Sequence, residues 1–527
     1  MAAGALALVL HGHLPYVRSR EAGSLEEDWY FQALIESYLP LLGALERCQA
    51  QGLRPRLTMS LSPTLLSLLI DPVLQERFVP WVEQRCQLLE RCASEEQQAA
   101  ALLHQQFQLQ LKAYSRYGRQ VIKGFIALQQ QGAIDLLTCS ATHGYLPLLR
   151  DPPLAVRGQL RTAVREHERL IGQPPSGIWL PECAYFEGLD AELAAAGLRY
   201  AVLDAHGLLH ALPRPRYGVY APICSPASVA FFGRDSEATL PVWSASDGYP
   251  GNAAYREFHR DIGWDLPEQE LQQAGILSSR PLGLKLRRVS GGDCPLNSKL
   301  VYDPALATEV VKGHASEYLA ARVAQLNGLE AVMDRPGLVV APFDAELFGH
   351  WWYEGPQFLE QLFLQAPAAG LNFTSLRDTL ASTPQLQVCR PSPSSWGQGG
   401  YHAYWLSNSN AWVVPEWHRA SLAMGDAVAE EQCLSHPLRT PQHQRLLRQA
   451  ARELLLAQSS DWSFILRAGT TTELARERIR RHLGRFWRLI ELLKGDQIEA
   501  AELDWLAALE AEDSIFPLID PLDWLPG

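Results

Sequence analysis

Several things are missing from this chain of 527 residues, and each absence removes a class of function. Its nine cysteines are scattered, and no two stand in a CxxC pair. An odd number without that spacing is neither a disulfide framework nor a zinc ribbon, and it suits a reducing, cytoplasmic location. No extended block of lysine and arginine occurs: 46 basic residues face 58 acidic ones, for a net charge of −12. That excludes nucleic acid as the main partner. No apolar run approaches the ~18 residues of a membrane-spanning helix, so a bilayer is excluded as well. The N-terminal MAAGALALVL has no basic leader and runs straight into HGH. It reads as a first buried strand, not a secretory signal.

What remains is a chain with 47% hydrophobic and 20% charged residues, ordinary for a soluble globular protein. Nearly continuous apolar runs at Ala5–Leu10, Arg56–Leu61, Ile134–Ser140, Ser176–Glu182, Arg199–Asp204, Leu282–Val289 and Leu338–Asp344 alternate with helix-rich stretches. Runs without polar alternation are what parallel strands buried on both faces require. Seven of them point to an α/β fold, a distorted (β/α)7 barrel of the TIM type. An open doubly wound sheet fits the same rhythm, but no GxGxxG follows the first strand. Residues 209–263, rich in Pro, Gly, Ser and aromatics, read as an irregular insertion. The barrel is expected over 1–390, and an all-helical C-terminal domain over 391–527. There Ile479, Leu483, Phe486 and Ile490 recur at helical spacing, with the arginines among them as a solvated face.

Catalytic groups of a parallel barrel sit where the strands end. The first run ends in His11-Gly12-His13, the third precedes His143, the fourth reaches Glu182, the fifth Asp204 and His206, and the seventh Asp344 and Glu346. Singly, each is more often structural, as a helix cap or a solvated imidazole. Their convergence around one axis points to a cleft. Two chemistries could use it. HxH at the first strand can hold zinc in barrel hydrolases. Alternatively, two carboxylates flank a glycosidic bond, ~5–5.5 Å apart in retaining enzymes. The 15 tryptophans favour sugar. Trp179 precedes Glu182, Trp351 and Trp352 follow Asp344, and Trp396, Trp405 and Trp412 share one stretch. Indole combines a flat apolar face with a polar N–H, which suits pyranose rings.

At these residues the sequence resembles glycoside hydrolase family 57, in the form carried by its 1,4-α-glucan branching enzymes. The matching motifs are HGHLPYVR (11–18), TCSATHGYLPL (138–148), GIWLPECAYF (177–186), APFDAELFGHWWYEGP (341–356), SSWGQGGYHAYW (394–405) and SSDWSFIL (459–466). GYPGNAAYREFHRDIGWD (248–265) is similar to a branching-enzyme stretch. The resemblance implies a retaining mechanism with Glu182 as nucleophile and Asp344 as acid and base, where spacing alone leaves Asp344 and Glu346 equally eligible. It makes His11, His13 and His143 hydrogen-bond donors to sugar and not metal ligands. Trp29, Trp264, Trp396 and Trp405 become groove walls, Arg256 and Asp461 polar substrate contacts, and Gly283 a further contact. The expected partner is an α-1,4-glucan, handled by a monomer without cofactor or metal. The same carboxylate pair would serve a 4-α-glucanotransferase or an amylase-type hydrolase. Three departures bear on that choice. Asn252 stands where the family usually has Asp, GLKLRRVSG (283–291) lacks an expected Tyr and His, and the loop Ala221–Asp235 lacks a tyrosine that relatives place over the site.

Overall fold

The computed structural model describes residues 4–525 except 93, 245–247, 277, 434–439 and 496. Among these residues nine strands form one curled sheet: β1 (Ala5–Gly12), β2 (Leu57–Leu61), β3 (Ile134–Cys139), β4 (Gly177–Trp179), β5 (Tyr200–Leu203), β6 (Ile223–Cys224), β7 (Ala230–Gly233), β8 (Leu338–Asp344) and β9 (Gln387–Val388). Their order is β8-β1-β2-β3-β4-β5-β7-β6-β9. The seven strands from β8 to β7 run parallel. Just beyond β7, the Asp235 amide donates to the Val340 carbonyl of β8 at 2.8 Å, drawing the ends of the parallel series together.

Because side chains alternate along a strand, each strand feeds two cores. Ala7 and Val9 of β1 join Leu137, Cys139, Trp179, Val202, Phe232 and Val340 inside the curl. Leu6, Leu8 and Leu10 face outward into the layer of helices. Burial on both faces explains the unbroken apolar runs. Register sets the level of the strand ends: His11 lies opposite Asp344 on one side and Ser60 on the other.

Six of the seven expected strands lie where the sequence put them; Leu282–Val289 does not. Gly283 has φ +78, in the left-handed region open to glycine, and this interrupts the extended run. The Gly283 and Leu284 amides donate to the Asp261 carboxylate at 2.8 and 3.1 Å, and Arg288 bridges to Arg256. The segment therefore belongs to the excursion between β7 and β8. The vacant place in the sheet is taken by β7, inside the stretch read as irregular. Residues Ala221–Asp235 are accordingly no free loop: they carry β6 and β7, paired antiparallel.

The C-terminal helices Val413–Cys433, Pro441–Ala457, Ser460–Ala468 and Thr472–Leu493 pack side by side. Ile479, Leu483, Phe486 and Ile490 are buried as their spacing requires. The interleaved arginines are not all solvated, which corrects that reading: Arg478 is buried and donates to Glu26 at 2.9 Å. Among the described residues no helix is long and apolar enough to cross a membrane.

Candidate active site

The cleft opens where β1, β3, β4 and β8 end. His11 is buried in its floor, stacked on Trp179 at 4.9 Å between centroids. Its Nδ1 lies 3.2 Å from Ser60 Oγ and its Nε2 3.0 Å from His143 Nε2. His143, also buried, places Nδ1 2.8 Å from Ser460 Oγ and stacks under His13 at 4.0 Å. Burial first, and then neighbouring imidazoles, hold the pKa of both His11 and His143 well below 6.5. They are neutral at pH 7. His13, half-buried, pairs Nδ1 with Ser62 Oγ at 2.8 Å and Nε2 with Asp461 Oδ2 at 3.0 Å. Ser62 is also the N-cap of the helix Pro63–Ile70, so the turn that starts this helix aims the imidazole.

Each ring nitrogen of the three histidines thus has a protein partner. His11 and His143 form a layer beneath the cleft, with His13 and Asp461 at its surface. The donor atoms of His13, His143 and Asp461 lie within 4.8 Å of one another, as do those of His11, Cys139 and His143. Either set has the geometry to hold a metal ion, but only by exchanging hydrogen bonds already made.

The carboxylates stand across from this layer, half-buried. Glu182 has φ 62 and ψ 24, and His143 has φ 55. Non-glycine residues in that region cost on the order of 1–3 kcal/mol and cluster at functional sites. Trp396 Nε1–H donates to Glu182 Oε2 at 2.6 Å, and the Trp396 amide donates to the Glu182 carbonyl. Burial, opposed by this bond and reinforced by the Asp344 charge, raises the Glu182 carboxyl to about 8. Burial and then the Glu346 charge raise Asp344 to about 8 against the pull of Arg234. Glu346 accepts from the Tyr38 hydroxyl and the His13 amide, and burial lifts it to about 7. These groups titrate together. Their surroundings differ in kind. Glu182 has an N–H donor that favours its charged form, whereas the Asp344 carboxylate makes no hydrogen bond among the described residues and faces a second acid. Asp461 goes the other way. Burial would raise it, but His13 and Ser459 hold it at about 2. It lies in the first turn of Ser460–Ala468, where a helix favours negative charge.

Other expected site residues are spread more widely. Trp264 is 56% exposed, on the short helix Ile262–Asp265. Trp29 is half-buried on the helix Leu25–Ala33. Trp405 is only 2% exposed and stacks on Tyr145 at 4.5 Å, so its ring lies behind the surface of the wall. Arg256 and Gly283 are also brought elsewhere. Arg256 pairs with Glu36 at 2.7 Å over the Tyr353 ring, and Gly283 closes against Gln32. Neither touches the carboxylate pair. Sequence reasoning missed Tyr38 and Arg234. Tyr38 sits in a π-helical turn, Leu34–Tyr38, that no motif marks. Arg234 follows β7 directly, so recognising that strand would have found it.

Two unlike carboxylates in one half-buried cleft, with an indole bonded to the first, define a carbohydrate-active barrel of the two-acid kind. The chain belongs to glycoside hydrolase family 57. The model of that family matches residues 7–264, and that of the 1,4-alpha-glucan branching enzyme C-terminal region matches 416–524. A 1,4-alpha-glucan branching enzyme of Thermococcus kodakarensis is 30% identical, covering 97% of this chain and 77% of that protein. Among solved structures, an alpha-amylase of Thermotoga maritima has a TM-score of 0.91 at 34% identity, covering 100% of this chain and 99% of the other. A branching enzyme of Pyrococcus horikoshii has 0.89 at 29%, covering 99% and 97%.

Proposed function

We propose that this protein is a retaining 1,4-α-glucan branching enzyme. Glu182 attacks C1 of an α-1,4-linked glucose while Asp344 protonates the departing O4, leaving a β-glycosyl ester on Glu182. Asp344 then takes the proton of an acceptor O6 hydroxyl as that oxygen displaces the ester, forming an α-1,6 branch. The observation that carries this reading is the asymmetry of the pair. Trp396 Nε1–H favours charge on Glu182, while Glu346 disfavours it on Asp344, so the singly protonated form of the pair carries its proton on the acid. Relatives named as branching enzymes along nearly the whole chain support the acceptor.

The substrate is an α-1,4-glucan polymer. Trp396, Trp29 and Trp264 are the aromatic surfaces offered to it, and His13 and Asp461 the polar ones; His11 and His143 orient them from below. We divide the chain into a barrel over 1–390 and a helical region over 391–527 that supplies Trp396 and Asp461 to the cleft. We place the protein in the cytoplasm, in keeping with nine cysteines that are all unpaired, and take it to act as a monomer.

Hydrolysis is the competing reading, favoured by the amylase neighbour. Amylose incubation followed by debranching separates them. Branching leaves the reducing-end count constant until a debranching enzyme raises it. A rise before debranching, with none after, means that water is the acceptor. A zinc-dependent hydrolase would instead lose activity to a chelator.

A further inference from the structure

A cavity of about 670 Å3 lies on the flank of the barrel, outside the cleft. The helices Leu39–Ala50 and Gln97–Arg116 wall it, and the excursion between β7 and β8 closes its inner end. Its volume is that of a small-molecule site. The walls are apolar, with Leu39, Leu103 and Phe107 among them. The inner end is not. Lys285 is 5% exposed there, and its ammonium makes no salt bridge or hydrogen bond among the described residues; it rests 3.7 Å over the Phe258 ring. Beside it Arg256 Nη1 is buried without a partner, its Nη2 being taken by Glu36.

The nearby acids are already engaged. Glu36 holds Arg256 and His350, each at 2.7 Å, and Glu354 accepts from the Arg256 amide at 3.0 Å. Five cationic side chains line the cavity against three carboxylates, in a chain whose net charge is −12. A buried ammonium with no carboxylate in contact is costly, and burial pushes Lys285 down to about 8 against the more distant pull of Glu36, Asp261 and Glu257. No tryptophan is among the lining residues, which sets the cavity apart from the indole-bearing cleft.

We infer that this cavity is a second binding site, for an organic anion that places one carboxylate or phosphate-monoester group on Lys285 and Arg256 and an apolar chain between Leu39, Leu103 and Phe107. Such a ligand brings an anion into contact with Lys285 and the free Arg256 Nη1 at the inner end and covers the apolar walls, which neutral sugar does neither of.

Calorimetric titration of the full chain with decanoate, decyl phosphate, decanol and inorganic phosphate tests this. Saturable binding of at least one of the two amphiphilic anions is expected, with decanol and inorganic phosphate each at least tenfold weaker; comparing decanoate with decyl phosphate identifies the preferred head group. Lys285→Met should weaken the preferred anion at least tenfold. Phe107→Trp, which fills the apolar part and keeps the charge, should weaken it similarly. Saturating maltoheptaose should leave binding unchanged. The inference is overturned if neither anion binds, if decanol binds equally well, if maltoheptaose displaces the anion, or if Phe107→Trp binds as the parent does. Should Lys285→Met not fold, the decanol comparison and Phe107→Trp decide the matter alone.

Discussion

Two clusters in this molecule use the same residue types to opposite ends. In the C-terminal helices, Glu453, His482 and Asp513 are 0%, 2% and 3% exposed. His482 Nδ1 lies 2.7 Å from Glu453, Gln449 donates to the same carboxylate at 2.8 Å, and Arg485 donates to Asp513 at 2.7 Å. Every charge there is answered and sealed from water. In the cleft, the imidazoles are equally well partnered, but the catalytic carboxylates are not: among the described residues the Asp344 side chain has no hydrogen bond, and Glu182, with one donor in Trp396, sits on a left-handed backbone. The comparison separates a hub from a site. A titratable group in a hub has its lone pairs and protons accounted for by the protein, while one in a site keeps some of them free for a substrate.

The largest expected effect breaks the comparison at its centre. Glu182→Gln and Asp344→Asn should each lower kcat on amylose by about a thousandfold or more, while Glu453→Gln stays within about twofold of the parent in steady-state assays at moderate temperature. Comparable losses in all three would erase the distinction. Stability should show the converse. Glu453→Ala leaves the buried His482 Nδ1 and the Gln449 amide without their acceptor, at a cost of about 1–3 kcal/mol for an unsatisfied buried group, seen as a lowered melting midpoint. Glu182→Ala should produce no such drop.

A third, smaller effect concerns Glu346. Its charge raises the Asp344 carboxyl, so Glu346→Gln should lower it and move the alkaline limb of the kcat/KM profile down by about one pH unit. An unmoved limb would remove Glu346 from the acid's surroundings. The smallest effect is on stability against pH. Because Glu182 is raised to about 8 in the folded protein, the stability it contributes in the protonated form is lost as pH rises through 8. Glu182→Gln escapes that loss, so its melting midpoint at pH 9 should exceed the parent's by about 1–3 °C, with less difference at pH 5.

Much of this arrangement was legible in the chain itself. Buried strands leave continuous apolar runs, and polar residues at their ends mark the cleft, which is how His11, Glu182 and Asp344 stood out. Pairing is what such a pattern lacks. Leu282, Leu284 and Leu286 alternate as a strand should and are all buried, yet Asp261 captures the backbone between them. β7 is only four residues long, and its neighbours in sequence are turn formers, so its place beside β5 is set by tertiary contacts. Burial is hidden for a related reason. Trp396 and Trp405 share one motif, but only the fold decides that the first bonds Glu182 while the second lies behind Gly397, where any added Cβ would strike its ring. Arg256 shows the same limit: its position in a motif carried no sign that Glu36 would claim it.

Asp461 and Trp396 come from the far end of the chain, yet they complete the surroundings of His13 and Glu182. During synthesis the strands bearing both carboxylates emerge first and wait. Until the segment after β9 and the helix Ser460–Ala468 are in place, His13 lacks its acid and Glu182 lacks its indole, so the cleft is an unfinished one. The barrel alone therefore does not contain the whole of its own cleft: two of the contacts that set its acids and imidazoles are made by chain that follows the last carboxylate-bearing strand.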